Sequence, residues 1–180
     1  FDSMIKSWDT RKWVETTPVE FKPGYISSIC FSPDSGIMAG ANADNTIKVW
    51  DLKTGKGMQT MPGHKDKSFI SSLVFSPDGK TLASAGTDNN IILRAVTGAN
   101  TRVLSGHTAW VKKVLFSPDG QILASSGDDY TIRIWDTKSG KLIKTLNEHK
   151  KEVSDIAFSP DGKFLASVGY DKTLVLWNTD

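Results

Sequence analysis

Short apolar runs of five to seven residues follow one another along most of the chain, and turn-forming residues separate them. Between residues 111 and 146 the runs are VKKVLF, ILASS, YTIRIWD and KLIKTL, divided by SPDG, GDD and TKSG. Runs rich in β-branched and aromatic residues indicate strands, whereas Pro-Asp-Gly and Ser-Gly indicate tight turns. Since the spacing leaves no room for helices of ten residues, the pattern predicts four short strands joined by hairpin-length turns.

The same pattern recurs, because the tetrapeptide Phe-Ser-Pro-Asp occurs four times at intervals of 44, 41 and 42 residues. These tetrapeptides start at Phe31, Phe75, Phe116 and Phe158. Thirteen residues after each Phe stand Asp44, Asp88, Asp129 and Asp171, and nineteen residues after it stand Trp50, Arg94, Trp135 and Trp177. A lone four-stranded sheet exposes two apolar faces, and stacking repeated sheets around an axis covers both. Four in-phase repeats therefore argue against an irregular β-sandwich and predict the blades of a propeller.

At these motifs the sequence resembles the WD40 repeat family. Gly63-His64 and Gly106-His107 are similar to its Gly-His pair, and Trp50-Asp51 and Trp135-Asp136 to its Trp-Asp pair. The resemblance implies an all-β, WD40-type β-propeller with four four-stranded blades per chain. We divide the chain into a partial leading repeat or tag remnant (1–10) and four WD repeats (11–51, 52–95, 96–136 and 137–180).

The resemblance also implies a buried tetrad of His, Ser or Thr, Asp and Trp in each blade. The third repeat carries His107, Ser125, Asp129 and Trp135, and the fourth carries His149, Ser167, Asp171 and Trp177. The second has His64, Ser84 and Asp88 but ends in Arg94, and the first has Lys22, Gly40, Asp44 and Trp50. Arg94 is thus a departure inside the repeat. Ala95 and the turn AVTGAN favour a loosely packed second blade, where the guanidinium either bonds Ser84 and Asp88 or reaches solvent.

Repeated His, Ser and Asp residues suggest catalytic triads, but such a triad needs an exposed nucleophile beside its base. Here each serine is expected to bridge His and Trp inside a blade, as part of a structural network. The three histidines are 43 and 42 residues apart, so they should ring the axis and not meet at one metal ion. No P-loop, dinucleotide-binding glycine motif or HExxH motif occurs. We expect no catalytic residue, no metal site and no cofactor.

The charge balance and the lack of long apolar runs bear on which classes of partner the chain can bind. The chain has 180 residues, 38% of them hydrophobic, with 22 Lys and Arg against 20 Asp and Glu. Because the net charge is only +2, we expect neither nucleic acid nor a membrane surface as partner. Cys30 is the only cysteine, and no apolar run approaches the ~20 residues of a membrane span. A soluble, cytoplasmic chain is the expectation.

Ring closure is the open question about architecture. Residues 13–21 are expected to form an outer strand, and inner strands should start near Ile26, Phe69, Val111 and Val153. The fourth repeat lacks its own outer strand, which the N-terminal strand could supply, although residues 2–9 also align with 44–51 as a surplus third strand. We favour a homodimer, with two chains in an eight-bladed ring, over self-closure of four blades or a piece of a longer array. An eight-bladed ring needs about 45° per blade, against about 90° for four.

Function must be argued from sites. Six residues before each repeat's Phe stand Tyr25, Phe69, Trp110 and Glu152, on what the resemblance implies is the top face, where partner peptides dock. Nearby are Tyr170, Lys65, Lys67, Lys150 and Lys151. Aromatic anchors beside lysines predict a scaffold or sensor that binds a protein or peptide, preferably acidic. The alternative is that these residues have no binding role: the rings only cover strand ends, and the lysines are only solvated. The alternative function is the WD40 portion of a larger signalling protein with a kinase or NTPase domain.

Overall fold

A computed structural model describes residues 8–15, 25–97 and 100–179. These residues form only β-structure apart from one short 3₁₀ turn at Lys65–Lys67. The first hairpin pairs β1 (Trp8–Asp9) with β2 (Val14–Glu15). Four antiparallel sheets, which we call blades 1 to 4, follow in chain order, so the all-β class is confirmed.

Blades 1 and 2 each have four strands, ordered from the innermost strand outward along the chain. Blade 1 consists of β3 (Ile26–Phe31), β4 (Ile37–Asn42), β5 (Thr46–Asp51) and β6 (Gly57–Pro62). Blade 2 consists of β7 (Ile70–Phe75), β8 (Thr81–Gly86), β9 (Asn90–Ala95) and β10 (Thr101–Ser105). The innermost strands of both blades begin at or next to the predicted residues, Ile26 and Phe69.

Blade 3 repeats this order, and blade 4 has its first three strands among the described residues. Blade 3 consists of β11 (Val111–Phe116), β12 (Ile122–Gly127), β13 (Ile132–Asp136) and β14 (Leu142–Leu146). Blade 4 consists of β15 (Val153–Phe158), β16 (Phe164–Gly169) and β17 (Leu174–Asn178). The expectation of four strands per blade is thus confirmed for blades 1 to 3, and in blade 4 no described strand pairs with the outer edge of β17.

The described N-terminal hairpin has the register of a blade's outer half. Trp8 pairs with Glu15, just as Trp50 pairs with Gly57 and Trp135 with Leu142. Val14–Glu15 thus finds its partner in Trp8–Asp9, and residues 16–21 of the predicted outer strand lie outside the described residues. No pairing of this segment with β17 is seen in the described residues.

Neighbouring blades pack face to face through their apolar side chains. Ala83, Leu93 and Leu104 of blade 2 form one buried cluster with Val111, Leu123 and Trp135 of blade 3. A similar cluster joins blade 1 to blade 2, and another joins blade 3 to blade 4. The innermost strands β3, β7, β11 and β15 contact one another in succession, and the strands described show no comparable contact between β3 and β15. The four blades form an open arc.

The Phe-Ser-Pro-Asp motif recurs because it closes the turn between the first two strands of each blade. In blade 3 the Ser117 hydroxyl donates to Asp119, at 2.5 Å, and accepts the Ile122 amide, at 3.1 Å. The residue after the Asp adopts a left-handed backbone, which favours glycine. Gly79, Gly120 and Gly162 hold this position in blades 2 to 4, but blade 1 has Ser35, with φ of 56°.

This turn gives a matched pair of stability tests. Ser35→Gly should raise the free energy of unfolding by about 1 kcal/mol, because a left-handed backbone costs a residue with a Cβ roughly that much. Gly120→Ala should lower it by at least as much, because φ is +72° and the new Cβ would lie 3.3 Å from Cδ of Pro77. Urea unfolding measures both, and equal stability of the two variants would contradict the account.

Candidate functional site

Four equivalent residues precede the innermost strands, and each is fixed by the same backbone hydrogen bond. The amide of a residue in the turn between the second and third strands donates to its carbonyl oxygen. The bonds are Ala43 to Tyr25 (2.8 Å), Thr87 to Phe69 (3.0 Å), Asp128 to Trp110 (2.8 Å) and Tyr170 to Glu152 (2.9 Å). The backbone is held at the strand end while the aromatic side chains of Tyr25, Phe69 and Trp110 are exposed. We call the surface of these four residues and their neighbouring loops the top face.

The three aromatic side chains do not form one cluster. The rings of Tyr25 and Phe69 contact each other, with centroids 6.1 Å apart and planes tilted by 32°. Trp110 instead contacts Lys112, whose Nζ lies 5.4 Å from the ring centroid. The paired rings of Tyr25 and Phe69 and the separate ring of Trp110 would each bury a large area, at little cost in side-chain entropy, when a partner covers them.

The remaining residues suggested for this face lie around it. Tyr170, Lys65, Lys150 and Lys151 are exposed, and Glu152 is half-buried. The side chain of Lys67 lies outside the described part of the structure. Their role in binding stays a prediction.

Lys112 and Asp128 belong to this face although sequence reasoning did not single them out. Lys112 Nζ lies 3.1 Å from Asp128 Oδ2, so one ammonium contacts both a carboxylate and the Trp110 ring. Asp128 occupies the same repeat position as Tyr170, twelve residues after the motif Phe, and that equivalence was the available signal.

A chain of hydrogen bonds runs through the interior of blades 3 and 4. In blade 3, Trp135 Nε1 donates to Ser125 Oγ at 2.9 Å, and Ser125 Oγ lies 2.8 Å from His107 Nε2. His107 Nδ1 lies 2.9 Å from Asp129 Oδ2. In blade 4 the same contacts join Trp177, Ser167, His149 and Asp171 at 2.9, 2.8 and 2.9 Å.

The donors fix the direction of this network. An indole N–H can only donate, so the serine hydroxyl accepts from Trp and donates its own hydrogen to His Nε2. A neutral imidazole then carries its proton on Nδ1 and donates it to the carboxylate. Ser125 is fully buried, so no substrate can reach its hydroxyl. The arrangement satisfies buried polar groups and does not present a nucleophile.

The carboxylate of each network also holds the loop that leads to the top face. Asp129 Oδ2 accepts the amide of Thr108 at 3.0 Å, two residues before Trp110. Asp171 Oδ2 accepts the amide of Lys150 at 2.9 Å. In blade 2 the equivalent bond from Lys65 to Asp88 is longer, at 3.4 Å. The interior network thus positions the exposed loop residues.

These contacts shift the acidity of the network. Burial alone would raise the pKa of Asp129, but hydrogen bonds from His107, Thr108 and Thr131 outweigh it and hold the pKa well below its ordinary value. The pKa of Asp171 is lowered too, because the amide of Lys150 and the hydroxyl of Thr173 donate to it and outweigh desolvation.

Blade 2 substitutes an arginine without leaving the network incomplete. Arg94 is buried, its NH1 donates to Ser84 Oγ at 3.1 Å, and its NH2 donates to the Gly63 carbonyl at 2.7 Å. Of the two alternatives for the guanidinium, the bond to Ser84 is confirmed, and the solvent-reaching side chain is wrong because Arg94 is buried. Its second partner is Gly63, and not the predicted Asp88.

The charge of Arg94 alters its neighbours. Burial lowers the pKa of Arg94, and Asp88 opposes that effect. Burial also lowers the pKa of His64, and the nearby positive charge of Arg94 adds to this effect against the opposing influence of Asp88. Blade 2 therefore favours a neutral histidine between Ser84 and Asp88, at 2.9 and 2.7 Å.

In the sequence of blade 1, only the aspartate and the tryptophan of the four network positions are kept. Lys22 lies outside the described residues, and Gly40 offers no side chain. Asp44 accepts the amide and hydroxyl of Thr46 within its own turn, and Trp50 is buried. Tyr25, the first described residue of this blade, accepts the Ala43 amide as its equivalents do in the other blades.

Comparison with known proteins agrees with this architecture. A WD40 family profile, described as "WD domain, G-beta repeat", matches residues 17–51, 55–93, 98–136 and 140–178. DDB1- and CUL4-associated factor 13 of Dictyostelium discoideum is 35% identical over 51 residues, which are 28% of this chain and 12% of that protein. Small ribosomal subunit protein RACK1y of Oryza sativa subsp. japonica is 32% identical over 56 residues, 31% of this chain and 17% of that protein. The alignments thus span less than a fifth of either relative. Within the described residues, no helix has the length and apolar character needed to span a bilayer.

Acidification should test the carboxylate of blade 3. The folded pKa of Asp129 lies below its ordinary value of 3.8, so its contribution to stability is complete above about pH 4 and is lost as the pH falls further. We expect the melting temperature to drop steeply below pH 4 in the wild type and less steeply in Asp129→Asn. Asp66→Asn, at an exposed aspartate, is the control and should keep the wild-type slope. The same slope in all three proteins would contradict the account.

Arg94 should respond differently to two substitutions. Arg94→Ala removes both donors and should lower the free energy of unfolding by about 1–3 kcal/mol, because the Ser84 hydroxyl and Gly63 carbonyl lose their partner. Arg94→Trp should raise the melting temperature, since the indole can donate to Ser84 and a buried charge is removed. It should also raise the pKa of His64, which NMR titration measures. An unchanged His64 pKa in Arg94→Trp would show that the arginine charge does not act on the histidine.

Proposed function

The chain belongs to the WD40 repeat family, and on that basis we propose that it is a non-catalytic interaction module that binds an acidic protein segment on its top face. The observation that carries this proposal is the set of exposed aromatic side chains at equivalent positions, each held by the same backbone bond. Aromatic side chains are enriched among the residues that carry the binding energy of protein interfaces. No reactive constellation among the described residues competes with this function.

The charges of the top face support an acidic partner. Lys65, Lys150 and Lys151 are exposed beside the anchors, while Lys112 is paired with Asp128. Exposed cations steer an acidic segment toward the face and add to its affinity at low salt. The two relatives bear names that describe association with DDB1 and CUL4 and membership of the small ribosomal subunit, and a binding role here is of the same kind.

We also propose a second copy of the chain as a partner and the cytoplasm as the location. Two arcs would close an eight-bladed ring, with the N-terminal strand of each chain beside β17 of the other. The outer edge of β17, which no described strand covers, supports this arrangement. A single half-buried cysteine, Cys30, suits a reducing compartment, and burial raises the pKa of its thiol to about 12.

Removing two anchors tests the binding face. The double variant Phe69→Ala with Trp110→Ala should weaken binding of acidic peptides on the order of 30-fold or more, because large exposed rings carry most of the energy of such interfaces. Fluorescence anisotropy with labelled glutamate-rich peptides measures it, and wild-type binding should weaken as salt is added. Val103→Ala, an exposed apolar residue of the outer strand β10, is the control. Undiminished binding by the double variant would move the site away from the top face.

A further inference from the structure

Every boundary between neighbouring blades buries the same positions of the innermost strand. The residue two before the motif Phe is Leu73, Val114 or Ile156 in blades 2 to 4, and each is at most 5% exposed. Its equivalent in blade 1 is Ile29, which is 51% exposed. Phe31 of blade 1 is exposed in the same way, whereas Phe75 and Phe116 are buried. The inner half of this face of blade 1 therefore looks like a boundary that lacks its neighbour, although Met38 and Trp50 farther out are buried.

The opposite end of the arc has the complementary deficit. Ile132 of blade 3 is fully buried against blade 4, but its equivalent in blade 4, Leu174, is 69% exposed. Leu176, Phe164 and Val168 on the same face are exposed as well. Apolar patches of this kind on a folded surface mark interaction sites. Of the described strands, none packs on this face.

A polar contact accompanies the apolar packing at each boundary. The residue three before the motif Phe reaches from one innermost strand to the next. Ser28 accepts the Leu73 amide at 3.0 Å, and Ser72 accepts the Val114 amide at 3.3 Å. At the third boundary the residue is Lys113, whose Nζ lies 3.5 Å from Asp155 Oδ1. Asp155 holds this linking position in blade 4, and the equivalent donor amide in blade 1 belongs to Ile29.

We propose that the exposed face of blade 4 packs on the inner half of blade 1 of a second copy, with Asp155 accepting the amide of Ile29 from that copy. The occupant is a second copy because each boundary in this chain joins these same two faces, and the two ends of the arc present one of each. A two-fold arrangement satisfies both ends at once and closes. Asp155 is exposed, and its Oδ1 accepts the amide of its own neighbour, Ile156, at 3.0 Å. An ionised carboxylate can accept several hydrogen bonds, so a further donor can be accommodated. The inference rests on the proposed two-chain ring and names the surfaces that would form it.

Charged substitutions at the two ends test the pairing. Ile29→Lys and Leu174→Lys change exposed side chains and should leave each chain folded, which circular dichroism checks. The wild-type chain should sediment at twice its mass of 19.7 kDa, and each variant alone should sediment at that single mass. Val103→Lys is the matched control, since Val103 is equally exposed but lies on β10, away from both ends, and it should remain dimeric.

Mixing the two variants separates head-to-tail pairing from other dimers. Ile29→Lys keeps its blade 4 face and Leu174→Lys keeps its blade 1 face, so an equimolar mixture retains one intact boundary and should recover part of the dimer. A dimer lost only in Leu174→Lys would indicate that blade 4 faces pair with each other, and would overturn the proposal. A wild-type dimer that neither variant disrupts would overturn these surfaces while leaving the two-chain ring standing. A monomeric wild-type chain at every concentration would overturn both, and the peptide binding of the top face would still be tested by its own variants.

Discussion

The carboxylate that follows the second strand of a blade is the contact on which fold and site both depend. In blades 3 and 4 its Oδ2 accepts one hydrogen bond from a buried histidine and another from the amide of the residue after that histidine. The histidine side of the contact ties the carboxylate to the serine and tryptophan in the interior. The amide side fixes the loop that ends at Trp110 or Glu152. A network that is structural in chemistry thereby determines where the exposed anchors stand.

The departures in blades 1 and 2 show which parts of this network can be replaced. Arg94 supplies the donor that Ser84 otherwise receives from an indole, and it gains the Gly63 carbonyl as a second partner. The cost is a buried positive charge near His64, which adds to the larger effect of burial in lowering the pKa of that histidine. Blade 1 has the aspartate and the tryptophan of the network in its sequence but not the histidine or the serine, yet the Ala43 amide still bonds to the Tyr25 carbonyl. The backbone bond at the strand end is the contact of the top face that all four blades share.

Local signals allowed much of this fold to be predicted. The strands at Ile26, Val111 and Val153 follow from the Phe-Ser-Pro-Asp motif, because its serine and aspartate close a turn within a few residues. Phe69 lies one residue before its strand, since its carbonyl serves the turn at Thr87. Two contacts could not be predicted in this way: the bond from Arg94 to the Gly63 carbonyl and the contact of Lys112 with the Trp110 ring. Both depend on how side chains pack in three dimensions, which the spacing of motifs along the sequence does not specify. The outer strand of blade 4 was predicted from ring closure, a property of the assembly and not of the local sequence.

The central claim is that the interior network holds the loops of the top face, and amide hydrogen exchange measures that hold directly. The amides of Thr108 and Lys150 donate to Asp129 and Asp171 at 3.0 and 2.9 Å, whereas the Lys65 amide lies 3.4 Å from Asp88. Under native conditions Thr108 and Lys150 should exchange markedly more slowly than Lys65, after correction for intrinsic rates. Exchange of Thr108 and Lys150 at the rate of unprotected amides, or no slower than Lys65, would contradict the account.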